Sequence, residues 1–265
     1  MFLVGDGHTN MEDDNSLSRN WGTIRYDYII TNPPYGAGTL EAETSTVTSK
    51  RTEIAFLCKL IQLLTDGGKA CVIVPDGVLE NPTLSPLRKE ILEKCFVTAI
   101  VSLPKFAFAP YTKEKTYAVF LQKRNAAVTK TQIEPVWMYI IDNDGLANSD
   151  KRFPTKLRNN RNGWMHDEIS GWVSTEGEEM SGILESRWMQ FDDVATNGTE
   201  WMTEKGELVK LRKGGFVSIA DILSQQYTCL LPEYYLRPFE AKYISMEELE
   251  MEMRKVRESV RSIAL

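Results

Sequence analysis

Along the first 125 residues, apolar and polar positions alternate in short blocks whose period changes from block to block. Tyr26 to Thr31 (YDYIIT) reads as a strand running into Asn-Pro-Pro, because the residue before a proline is held extended. From Lys50 to Thr65 the spacing of Ile54, Phe56-Leu57, Leu60-Ile61 and Leu64 gives one wide apolar face of a helix. Asp66-Gly67-Gly68 is expected to end it. Lys69 to Val74 is a buried strand closed by Pro75, Leu84 to Cys95 a second amphipathic helix, and Val97 to Leu103 a strand stopped by Pro104. Tyr117 to Gln122 is the last strand of the unit, reached through an aromatic, proline-containing loop. Strands alternating with helices predict an α/β fold with a largely parallel sheet. Four strands and two or three helices amount to half of a doubly wound sheet.

Beyond Arg124 the pattern changes. Pro135 to Ile141 is a short strand stopped by Asn143-Asp144-Gly145, and the following stretch is polar, rich in Trp and Gly, with no sustained period. Near the end, Met246, Leu249, Met253, Val256, Val260 and Ile263 recur at alternating steps of three and four. That seam fits a coiled coil and equally a terminal helix docked on its own domain. The expected organisation is a core unit over 1–125, an irregular α+β region over 126–240 and an amphipathic helix over 241–265.

Composition narrows the function classes. A chain of 265 residues with 42% hydrophobic residues can bury a sizeable core. No apolar run approaches the roughly 20 residues of a membrane helix, and no signal-peptide pattern opens the chain, so a cytoplasmic location is the default expectation. Cys58, Cys71, Cys95 and Cys229 form no C-x-x-C pair, and His8 and His166 are the only histidines. Disulfides, a structural zinc and a histidine-based triad are therefore disfavoured. A net charge of -6 argues against autonomous grip on duplex, since that grip rests on Lys and Arg at phosphates. An acidic subunit can still act on DNA when a partner supplies the grip.

The chemistry centres on Asn32-Pro33-Pro34-Tyr35, at the end of the first strand. The exocyclic N6 of adenine is a poor nucleophile because its lone pair is delocalised into the ring. Two acceptors set against its two hydrogens draw the lone pair out of conjugation, and an aromatic face holds the extruded base. Asn32 offers an amide oxygen, Pro33 a carbonyl and Tyr35 a ring, while Pro33 and Pro34 stiffen the loop and lack N–H groups. An ordinary strand-ending turn is the alternative for the tetrapeptide taken alone.

The run YDYIITNPPYG resembles motif IV of the amino-methyltransferases that use S-adenosylmethionine. The later blocks resemble the modification subunits of type I restriction-modification systems, the DNA adenine-N6 methyltransferases of the N-6 DNA methylase family. These blocks are Thr48-Ser49-Lys50, Gly67-Gly68-Lys69-Ala70 into Val72-Ile73-Val74-Pro75-Asp76-Gly77-Val78-Leu79, and Ile100-Val101-Ser102-Leu103-Pro104 followed by Phe108, Tyr111 and Lys115-Thr116. The likeness covers roughly 1–152, where Asn143-Asp144-Gly145 and Lys151-Arg152 also match. It implies a partial Rossmann-like class I methyltransferase sheet and S-adenosylmethionine as methyl donor. It also implies DNA, a specificity subunit and a restriction subunit as partners. It assigns Asn32, Pro33, Pro34 and Tyr35 to the catalytic target-base loop, Phe108 to the aromatic position that packs against the flipped base, and Asn15 to the segment that borders the donor and the target adenine. A core or loop-anchoring role fits Phe108 as well. Lys115 and Thr116 match a DNA-backbone position, for which a solvated loop lysine is the alternative.

One departure qualifies this reading. The family binds its donor at a Gly-rich turn after the first strand of the sheet, several tens of residues before motif IV. Here 31 residues precede Asn32, and Gly5-Asp6-Gly7 neither follows a long strand nor opens a helix. The chain is expected to start inside the fold, to bind S-adenosylmethionine poorly and to methylate little by itself. The strand ending at Asn32 would then be an exposed sheet edge, open to dimerisation or to another chain, as would the C-terminal helix. Two rivals stand beside this reading: a non-catalytic DNA-positioning or assembly module with a methylase-like core, and a protein-glutamine or RNA methyltransferase.

Overall fold

The computed structural model describes residues 13–43, 48–125, 131–142, 144–154 and 214–236, and the backbone of short strands between 157 and 211. The terminal heptad pattern, Gly5-Asp6-Gly7 and Asn143 lie outside the described residues.

In the core unit, strand β1 (Tyr26–Thr31) leads into the Asn-Pro-Pro-Tyr loop. A ribbon of β2 (Ala37–Glu43) and β3 (Thr48–Arg51) follows, then helix α1 (Thr52–Leu63) and strand β4 (Leu64–Pro75). Short helix α2 (Asp76–Glu80) and a 3-10 turn at Pro82–Leu84 lead to α3 (Ser85–Lys94), β5 (Cys95–Ser102), β6 (Thr116–Lys123) and β7 (Val136–Ile140). Between 157 and 211 lie β8 (Leu157–Arg158), β9 (Gly163–Asp167), β10 (Gly171–Ser174), β11 (Glu179–Ser181), β12 (Thr199–Met202) and β13 (Leu208–Leu211). The last described elements are β14 (Gly214–Val217), α4 (Ile219–Ser224) and α5 (Pro232–Leu236).

Six strands form one sheet in the order β1-β4-β6-β5-β7-β14. β1 runs parallel to β4 and β5 parallel to β7, but β6 is antiparallel to both of its neighbours and β14 antiparallel to β7. The sheet is thus mixed, where the sequence pattern predicts one that is largely parallel. The physical reason is the connection from β5 to β6: a loop without a crossover helix can only return the chain antiparallel beside the strand it has left. The architecture is nonetheless of the expected class, α/β with a partial, Rossmann-like sheet. Because β7 and β14 extend that sheet, the boundary expected at residue 125 does not separate two sheets.

A second difference lies at Gly67-Gly68. Helix α1 already stops at Leu63, Leu64 is extended, and the glycines sit inside β4, where its register against β1 shifts between Tyr26 and Tyr28. Gly67 has φ +80°, and a Cβ on Gly68 would stand 3.1 Å from the Tyr26 carbonyl oxygen and 2.9 Å from that of Thr65. The glycines therefore let two backbones approach at a bulge rather than cap a helix.

Helices cover one face of the sheet. Ile54, Leu57 and Leu60 of α1, Leu87 and Ile91 of α3, and Ile219 and Ile222 of α4 pack with Val72, Val97, Val119 and Met138 of the strands. Ala99, Val101, Ala118, Trp137 and Tyr139 form a smaller cluster on the opposite face. At the β1 edge that second face is open: Tyr28 is 74% and Ile30 86% exposed. Among the described residues no helix is long and apolar enough to cross a membrane. All four cysteines are free, and burial pushes the Cys58 thiol up to about 11, which leaves it unreactive at neutral pH.

One buried cation ties the last described segment to the core. Arg88 of α3 is fully buried and donates to four carbonyls: Val78 (3.0 Å), Asn81 (3.0 Å), Tyr227 (2.5 Å) and Thr228 (2.8 Å). Replacing it would leave those oxygens unpaired in the core. Arg88→Met is expected to lower stability by about 3 kcal/mol, read as a lower urea midpoint.

Candidate active site

Three chain segments meet at the carboxyl ends of the sheet strands, where open α/β sheets place their ligand crevices. β1 delivers Asn32 to Tyr35, β4 delivers Pro75 to Gly77, and the loop after β5 delivers Phe108 and Tyr111. Together they line a cleft of about 1070 Å³, which also receives Lys50 and Arg51 from the end of β3 and Glu53 from the start of α1. A volume of that order is typical of small-molecule sites.

The loop after β1 is held at Gly36. Its carbonyl accepts from the Thr52 backbone N–H at 2.8 Å, and its own N–H donates to Glu53 Oε2 at 2.9 Å. Gly36 has φ +109°, a backbone shape that a side chain would strain. Within the loop Pro33 is buried and Asn32 and Pro34 are exposed, while Tyr35 is half-buried and donates its O–H to Asn32 Oδ1 at 2.9 Å. The amide oxygen assigned to the target base is thus satisfied by the neighbouring phenol. Burial, assisted by the negative charge of Glu53, pushes the Tyr35 phenol up to about 12.

The opposite wall is a tightly folded loop. Successive backbone bonds from Ala107 to Pro104, Ala109 to Phe106 and Tyr111 to Phe108 (each 3.0 Å) wind it, around a cis Ala109-Pro110 bond. It is braced from outside by Asn148, whose Oδ1 accepts from the Phe106 N–H at 3.0 Å, and by Asp150, paired with Lys113 Nζ at 2.7 Å. The bracing segment is itself closed by an ion pair between Arg152 and Asp144. Tyr111, at the cleft rim, is 94% exposed.

The structure therefore brings together Asn32, Pro33, Pro34, Tyr35 and Phe108. Asn15 does not line the cleft; its side chain accepts from the Leu17 N–H at 3.1 Å in an exposed turn. Lys115 and Thr116 are not displayed to a DNA backbone. Lys115 Nζ turns inward to the Leu103 carbonyl and to Glu233 Oε1 (3.4 Å), and Thr116 is fully buried in β6. Glu53 is the site residue that the apolar pattern passes over. Its signal is an acidic side chain at a core phase of α1, one turn before Leu57 and two before Leu60, where it is 1% exposed. Among the described residues no cluster of His, Cys, Asp and Glu is arranged to hold a metal.

A mixed α/β sheet with a proline-stiffened, amide-bearing loop facing an aromatic wall defines the general class, a methyltransferase-like fold. The chain belongs to the N-6 DNA methylase family, whose model matches residues 3–204. It is 30% identical over 174 residues to the type I restriction enzyme EcoEI methylase subunit of Escherichia coli, covering 62% of this chain and 34% of that one. It is 33% identical over 118 residues to the EcoKI methylase subunit of Escherichia coli strain K12, covering 42% of this chain and 22% of the relative. The chain thus spans about a third or less of the length of these relatives. A chain in a solved structure of a type I R-M system superposes with a TM-score of 0.52 at 19% identity, covering 97% of this chain and 47% of that one. That likeness is one of fold.

The raised Tyr35 pKa gives a direct test. Folded Tyr35 holds its proton more tightly than an unfolded tyrosine does. Its contribution to stability is therefore complete below the unfolded value near 10, and is lost as pH rises through about 12. A tyrosinate absorbance titration of the wild type minus that of Tyr35→Phe is expected to isolate one phenol ionising near 12.

Proposed function

We propose that this chain forms the target-base side of a DNA adenine-N6 methyltransferase subunit of a type I restriction-modification system. The observation that carries the reading is the convergence of Asn32, Pro33, Tyr35 and Phe108 on one cleft at the strand ends. An adenine extruded from the duplex enters this cleft and stacks on Tyr35, with Phe108 on the facing wall. As it enters, one N6 hydrogen replaces the Tyr35 hydroxyl on Asn32 Oδ1, and the second meets the Pro33 carbonyl. The N6 lone pair is thereby drawn out of conjugation with the ring and made available for in-line attack, with no covalent bond to the protein.

The methyl donor of such enzymes is S-adenosylmethionine, which supplies an electrophilic methyl group. The described residues do not fit it. The segments leaving β1 and β4 are Asn32-Pro33-Pro34-Tyr35 and Pro75-Asp76-Gly77, and neither is a Gly-rich turn opening a long helix. The donor side belongs across the free edge of β1, which among the described residues pairs with β4 alone. On this reading the chain by itself presents a base, and methyl transfer is expected from the assembled enzyme. In the assembled enzyme a specificity subunit would supply the DNA grip that a net charge of -6 denies this chain, and a restriction subunit would join the same assembly.

The open β1 edge also favours a second reading, a DNA-positioning module that never acquires a donor side. Calorimetry and product analysis separate the two. The proposal expects no measurable S-adenosylmethionine binding by the chain alone, and N6-methyladenine in DNA treated with the assembled enzyme. Asn32→Ala is expected to lower methyl transfer by about a thousandfold. Tyr35→Phe keeps the stacking ring and frees the Asn32 oxygen, and is expected to stay within about tenfold of wild type. An assembled enzyme that binds DNA and yields no methylated base would favour the module.

A further inference from the structure

We propose that Glu53 is the positioning residue of the base-binding loop, its buried carboxylate fixing Gly36 and, through it, the places of Tyr35 and Asn32. The inference rests on reading that loop as the one that receives the target base.

Glu53 occupies a phase of α1 that Leu57 and Leu60 fill with apolar side chains, and a carboxylate there loses its hydration. Its compensation is directed at the loop and not at the core. Oε2 accepts from the Gly36 N–H at 2.9 Å, while Oε1 faces Arg51 Nη1 at 3.3 Å. The Arg51 side chain is 54% exposed at the cleft, so its pull on the buried charge is diluted by solvent. The first turn of a helix adds the positive end of the α1 dipole. Of these three, only the bond to Gly36 fixes a place in space.

Gly36 is gripped from both sides, because its carbonyl accepts from Thr52, the residue before Glu53. The end of the loop is thereby sewn to the first turn of a helix whose apolar face is part of the core. Tyr35 is bonded directly to Gly36 and reaches back to Asn32 through its hydroxyl. A displacement at Gly36 therefore moves the stacking ring and the acceptor together, and in-line transfer tolerates little misplacement. Glu53 never touches the base in this account; it acts through the backbone.

Two variants separate position from charge. Glu53→Gln keeps the length and an acceptor oxygen but loses the charge. Glu53→Asp keeps the charge but withdraws the acceptor by one methylene. The first measurement is amide hydrogen exchange on the chain alone, without DNA or donor. Glu53→Asp is expected to lower Gly36 protection about tenfold or more, and Glu53→Gln to keep it within about threefold. The second is steady-state methylation by the assembled enzyme. There the aspartate variant is expected to lose about tenfold or more in kcat with the DNA KM unchanged, and the glutamine variant to remain near wild type. A glutamine variant that loses as much as the aspartate one, or an aspartate variant that leaves both readouts unchanged, overturns the proposal. Should the aspartate variant not fold, the glutamine variant decides: retained protection and kcat support positioning, and loss of both overturns it. An assembled wild-type enzyme that methylates nothing would sink the functional reading instead, while the Gly36 exchange result would still decide the role of Glu53.

Discussion

Two hydrogen bonds at Gly36 are what the cleft depends on. A loop that leaves a strand through two prolines has no N–H groups at those positions with which to pin itself. Here it is pinned one residue beyond the tetrapeptide, to the first turn of α1. The grip is only as rigid as the helix behind it. That helix is fixed in turn by Ile54, Leu57 and Leu60, which pack against the strands of the sheet. Core packing thus sets the helix, the helix sets Gly36, and Gly36 sets where an amide oxygen and an aromatic ring stand at the sheet's edge.

The opposing wall has a separate line of support. The loop carrying Phe108 and Tyr111 leans on residues 144–152, and its far end is drawn inward by Lys115, which reaches Glu233 of α5. Glu233 also accepts from the Ser102 hydroxyl at 2.5 Å, at the end of β5. Arg88 gathers the segment before α5 onto α2 and α3 through backbone carbonyls alone. Residues far along the chain therefore stiffen a wall of the cleft without entering it. A site assembled from several chain segments needs such bracing to hold its geometry.

Much of this was legible in the sequence, and for identifiable reasons. β1 occupies the span that its apolar run and the following prolines predict, and α1 and α3 fall within two residues of their periodic patterns. Strand direction was not legible, because the pattern of β6 is the same whether it pairs parallel or antiparallel. The choice is made by the loop that precedes it. Gly67-Gly68 carries the composition of a helix stop, yet its role is a close backbone approach that exists only once β1 lies alongside β4. Asn32 to Tyr35 could be singled out as candidates because the groups they offer lie within four consecutive residues. Glu53 and Arg88 did not, since a charged residue on a helix is ordinarily a solvated one. Lys115 looked like a surface lysine for the same reason, and its partner is 118 positions away.

The central claim is that the cleft at the end of β1 receives a base extruded from DNA. Photocrosslinking in the assembled enzyme tests it most directly. Iodouracil placed at the methylated position of a duplex would react with whatever aromatic ring stacks on the extruded base. The account expects a single major adduct on Tyr35 or Phe108, lost in the corresponding Ala variant. Efficient crosslinking that maps elsewhere in the chain, with Tyr35 and Phe108 unmodified, would contradict it.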